Sequence, residues 1–127
     1  MRLRTTKANN ITVVVGGITV KGAPLQASEL SVLRKKHTRI MQGIEVIDGA
    51  ELTIELFSRE VEDWDATSLE TGAPIPCTAE QKRIVYENNP DFVAEVMAKL
   101  SATAAAERSA ELGNLKPGPS GSSAQAL

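Results

Sequence analysis

The chain has little of what builds a reactive centre or a secreted scaffold. It holds one cysteine, Cys77, and one histidine, His37, in 127 residues. A lone cysteine forms no internal disulfide and fits a reducing compartment. One Cys and one His also fall short of the three or four ligands of a zinc site, so neither a metal nor another cofactor is expected. There are only four aromatics, Phe57, Trp64, Tyr86 and Phe92, so Val, Ile, Leu and Ala must build most of the core. No apolar run approaches the roughly 18–20 residues that cross a bilayer. No apolar stretch follows the basic start MRLRTTKANN, so a signal peptide is not expected and the chain reads as soluble and intracellular.

An excess of one charge sign is missing as well. The chain has 14 Lys and Arg against 16 Asp and Glu, a net charge of -2, which calls for neither nucleic acid nor an acidic surface as partner. The charges are nevertheless segregated. Residues 1–40 carry eight basic groups and one acid, Glu29; the remainder carries six basic groups and fifteen acids. Opposed halves attract each other within one fold or between copies of the chain.

Periodicity organises the chain into one domain over 11–113, between a polar N-terminus at 1–10 and a Pro/Gly/Ser-rich tail at 114–127. ITVVVGGITVKG pairs two β-branched runs through Gly16-Gly17, a hairpin over 11–21. LQASELSVLRKKHTR suggests a helix over 27–38. IMQGIEVIDG breaks at Gly43, extends briefly at 44–47 and ends in a turn. Asp48 and Glu51 stand in capping-box spacing, and Ile54, Phe57, Val61 and Trp64 form an apolar stripe, so a helix is expected over 49–64. Phe57, Val61 and Trp64 are the expected core anchors, with Glu51, Glu55, Glu62 and Asp63 toward water. Thr78 and Gln81 open a helix over 79–88, and Asn89-Pro90-Asp91 starts another over 90–112. The fold class is α+β and mainly α-helical, a small hairpin packed on about four helices with a disordered C-terminal tail.

The sites that suggest chemistry resolve poorly. Asp63-Trp64-Asp65 sets adjacent acids at an expected helix end, where they point in different directions and lack a partnering His or Lys. Cys77 precedes a helix start, where the helix dipole would stabilise a thiolate. Spacing leaves a Cys77–His37 nucleophile pair open, but no catalytic signature flanks either residue. Gly16-Gly17 and Gly22 match no nucleotide-binding loop. RKKHTR, with Arg34, Lys35, Lys36 and Arg39, is the strongest basic cluster, yet no aromatics interleave for base stacking. It reads as a solvated, acid-pairing or protein-binding face. Phe92, Val96, Met97 and Leu100 give the last helix an apolar face that is either core or a partner site.

LRKKHTR, ELFSREVEDWD, GAPIPCTAEQKRIVYENNPDFVAEVM and AELGN together resemble the tail assembly chaperones of long-tailed bacteriophages. The shared pattern is Asp63-Trp64-Asp65, Gly72, Pro74 to Thr78, Pro90 to Val93 and Gly113-Asn114, spanning about 90 of 127 residues. The resemblance implies a non-enzymatic factor of the host bacterial cytoplasm, absent from the mature virion. Such a factor coats the tape measure protein and helps recruit tail tube protein, in many relatives through a frameshifted longer form. It further implies self-association and no membrane. A different phage structural or connector protein, and a small regulator binding nucleic acid or a host protein, are the alternatives.

Overall fold

The computed structural model describes residues 10–114. The N-terminal segment and most of the Pro/Gly/Ser tail, both expected to be flexible, lie outside the described residues. The elements run β1 (Ile11–Val15), β2 (Ile18–Gly22), α1 (Ala27–Lys36), β3 (Thr38–Met41), β4 (Ile44–Ile47), α2 (Gly49–Glu60), β5 (Val61–Trp64), α3 (Ala79–Asn88) and α4 (Pro90–Asn114). The α+β class is as the sequence suggests.

The first hairpin forms as its sequence requires. Gly16 and Gly17 take φ of 57° and 80°, the paired positive values of a primed turn that glycine adopts without strain. β1 alternates buried Ile11, Val13 and Val15 with exposed residues, so one face of the ribbon is apolar. That face cannot stay wet, and it is covered by α4 together with α2 and α3.

The expected helix over 49–64 is a correction. α2 ends at Glu60, and Val61–Trp64 is a third antiparallel strand beside β2, giving the sheet order β1-β2-β5. The register explains the misreading. Val20 faces Trp64 and Lys21 faces Asp63, but Gly22 faces Val61, so Glu62 is one residue too many. This bulge brings Val61 and Trp64, three apart, to the same buried face. A three-residue spacing of apolar side chains is also the mark of a helix, and here it comes from a kinked strand.

Across the sheet the inward positions form rows, Val13–Val20–Trp64 and Ile11–Gly22–Val61, the glycine leaving its place to the Glu60 carbonyl. Phe57, Val93, Val96 and Leu100 close over them with 0% exposure. Fully burying one such side chain is worth about 1.5–3 kcal/mol, against roughly 0–1 for a surface ion pair. Apolar area therefore holds this body together. Phe57, Val61 and Trp64 are core anchors, as expected.

α1 and a second, unanticipated hairpin sit to one side. β3 and β4 pair around Gln42-Gly43, whose φ of 53° and 79° reproduce the primed turn of the first hairpin. Leu33, at 2% exposure, is the buried residue of α1, which packs against α2. The Asp48 N–H donates to the His37 carbonyl at 2.9 Å and closes the base of the β3–β4 ribbon. Thus α1 and this ribbon form an arm beside the main core.

At Gly22 a Cβ would meet the Glu60 carbonyl oxygen at 2.0 Å, whereas nothing lies within 4 Å of one at Gly49. Gly22→Ala is expected to lower stability by roughly 3 kcal/mol, the upper range of overpacking costs, because the obstacle is backbone. Gly49→Ala, in the first turn of α2, is expected to raise it by about 0.5–1 kcal/mol. Chemical denaturation of the two variants beside the parent chain checks both signs.

Candidate functional site

Trp64 is the joint between sheet, loop and helices. Its ring lies 6.0 Å from that of Phe57, and its Nε1–H donates to the Ile75 carbonyl at 2.7 Å. That bond ties β5 to the far limb of the loop 65–78, which also folds back through Ile75 N–H to the Ala66 carbonyl at 2.9 Å. Asp65 is engaged as well: its Oδ1 accepts the Thr19 N–H at 2.7 Å, and its own N–H donates to the Thr19 carbonyl at 3.2 Å. Thr78 Oγ1 then accepts the Gln81 N–H and caps α3. The acid-Trp-acid triplet and the Pro74–Thr78 segment are therefore neighbours in space. Asp63 and Asp65 belong to an edge strand and its exit, which corrects the helix-end placement.

Nearby, Lys82 is 6% exposed, and its ammonium donates to the Ser58 and Val61 carbonyls at 2.8 and 2.6 Å. It satisfies carbonyls that the end of α2 leaves without helical partners. Sequence reasoning missed this role. A lysine among polar residues in the first turns of a helix looks solvated.

Cys77 and His37 keep separate company. Burial pushes the Cys77 thiol above its ordinary pKa, outweighing nearby Lys82, while Asp63 adds to the rise. The thiolate expected at a helix start is thus disfavoured, a second correction. His37 caps the C-terminus of α1, and its Nε2 lies 2.8 Å from Glu55 Oε1. Among the described residues, no group of three or more His, Cys, Asp or Glu could hold a metal ion, and no helix is long and apolar enough to cross a membrane.

Glu55, expected to face water, is instead a half-buried hub, its side chain 19% exposed. Lys36 Nζ bonds it at 2.9 and 3.2 Å, and Arg59 donates through Nε and Nη2 at 3.1 and 2.9 Å. Hydrogen bonds from Lys36, then His37 and Arg59, pull its pKa to about 2 against burial, which raises it. Lys36 is accordingly spent inside the chain. Arg34, Lys35 and Arg39 make no ion pair among the described residues.

The expected partner face on the last helix does not survive as a surface. Val96 and Leu100 are 0% exposed, and Phe92 and Met97 pack partly buried against the same core. β1 needed that face as its cover.

Exposed apolar surface lies elsewhere. Ile40, Met41, Ile44 and Ile47 of the β3–β4 ribbon are 73%, 52%, 67% and 52% exposed. Cross-strand pairing puts Arg39, Val46, Met41 and Ile44 on one face and Thr38, Ile47, Ile40 and Glu45 on the other. The second face overhangs α1, enclosing an open groove of about 540 Å³ lined by Leu30, Arg34, Lys35, Ile40 and Glu45 among others. On the first face Met41 and Ile44 stand exposed and Val46 is half-buried. Comparison with protein-family models, curated proteins and solved structures finds no match to this chain.

Acid titration checks the hub. Glu55 has its pKa depressed from 4.5 to about 2, so its stabilising contribution is present above pH 4.5 and is lost as pH falls toward 2. Glu55→Gln should flatten the acid limb of stability over that window. Urea midpoints measured at successive pH values would show it.

Proposed function

We propose that this chain is a tail assembly chaperone of a long-tailed bacteriophage or prophage. It holds the tape measure protein soluble in the host cytoplasm while tail tube protein is recruited. The observation that carries the reading is the free apolar ribbon β3–β4. A two-stranded ribbon is marginal in water by itself, and one with apolar side chains on both faces is made to be covered.

The face bearing Arg39, Met41, Ile44 and Val46 suits a long helical client with apolar stripes and acidic flanks. Methionine adapts to varied packing partners, and an arginine at the rim favours acids. One ribbon buries little area, so each contact is weak and tube protein can displace it as it polymerises. Many copies along one rod give a strong coat without a strong single site. The motif that resembles such chaperones adds independent support, since its Asp63–Asp65 and Pro74–Thr78 portions meet at one joint. In this reading Arg34, Lys35 and Arg39 serve protein contacts, while Lys36 stays with Glu55. Nucleic acid is a poorer client, because Lys36 and His37 are committed to Glu55 and no aromatic stands among the remaining cations.

Co-expression tests the proposal. The chain is expected to keep the tape measure protein of the same phage in the soluble fraction. Met41→Asp with Ile44→Asp should return it to the pellet while shifting the chaperone's own thermal midpoint by no more than about 3 °C. A tape measure protein that precipitates equally with and without the parent chain would refute the function. One held soluble by the double variant would refute the assigned face.

A further inference from the structure

The groove between α1 and the β3–β4 ribbon calls for a different occupant from the outer face. Its mouth is apolar at Leu30 and Ile40 and basic at Arg34 and Lys35, with Glu45 the single acid among its lining residues. A fitting ligand is a helix that presents one apolar side chain between acids.

The chain itself carries such a surface. α3 buries Lys82 and Val85 on its inner side. On the opposite side Glu80, Ile84 and Glu87 follow one another at intervals of four and three residues, which places them on one stripe. All three are exposed, Ile84 at 43%. Arg83, beside the stripe, is held by Glu51 through two bonds of 2.8 Å, so its charge is taken up within the chain. The stripe is thus an acid–apolar–acid ridge, matched in chemistry to the basic and apolar groove.

We propose that the α3 ridge of one copy docks in the α1/β3–β4 groove of the next, so that the chain assembles head to tail. Ridge and groove are different surfaces, so the contact is heterologous: every copy bound through its groove leaves its ridge free for another. Such contacts close into rings or extend as spirals according to the rotation between copies. The attraction between Glu80 and Glu87 and Arg34 and Lys35 is solvent-accessible and weakens as salt screens it. The inference does not rest on the chaperone reading, since it concerns two surfaces of one chain.

Two variants and their mixture test it by sedimentation velocity at low salt. The parent chain should form a concentration-dependent series of oligomers that dissociates toward monomer in high salt. Ile40→Asp spoils the groove and leaves the ridge; Ile84→Asp spoils the ridge and leaves the groove. Each variant alone should associate at least tenfold more weakly than the parent. Mixed together, they should form a 1:1 dimer that grows no further, because one intact ridge meets one intact groove and the two remaining surfaces both carry the added acid. That dimer also shows both variants to be folded.

A parent chain that stays monomeric at the highest attainable concentration assigns the groove to another occupant and overturns the proposal. So does a mixture without the dimer, or a single variant that assembles as the parent does. Tape measure solubility is read separately, so loss of self-association and loss of client binding are distinguishable.

Discussion

The bulged pairing of β5 on β2, locked by Trp64, is the constraint on which the rest of the body depends. Without the extra residue at Glu62, Val61 and Trp64 could not both face inward, and the sheet would lose one of its two inner rows. The indole N–H would be costly to bury unpaired, at roughly 1–3 kcal/mol, and the Ile75 carbonyl receives it. That single bond determines where the loop returns, and so where Thr78 can start α3. α3 then brings Lys82 under the end of α2, and α4 lies across β1. The small body is consistent because local choices agree with one another.

How much of this was legible from residues alone depends on what each signal measures. Gly16-Gly17 between β-branched runs gave the first hairpin, because backbone freedom at a tight turn is a local property. Asp48 and Thr78 marked helix starts for the same reason, and each side chain accepts the N–H three residues on, in the first turn, as their spacing suggested. Val61 and Trp64 misled because a bulge and a helix can present the same spacing. Gln42-Gly43 was read as a break and not a hairpin, since glutamine rarely takes positive φ and the flanking strands bury neither face. A period-two pattern of buried and exposed residues is what identifies strands, and this ribbon has none.

The α4 face shows a different limit. Phe92, Val96, Met97 and Leu100 declared an apolar side, and they have one. Periodicity reports that a helix has something to bury, but says nothing about whether the cover comes from the same chain. Here β1 supplies it, and surplus apolar surface appears on an element whose existence the sequence concealed. Candidate contacts therefore move from the last helix to the arm, and among the four basic residues singled out, Lys36 drops out as a free cation.

Body and arm are fastened by unlike means. Hydrocarbon closes the body, and its grip changes little with ionic conditions. The arm leans on Leu33 and on one carboxylate gripped by an ammonium, an imidazole and a guanidinium. Dissolved salts and protons thus act as reins chiefly on the arm, and a change of buffer slackens its posture while the hydrocarbon-closed body keeps its shape.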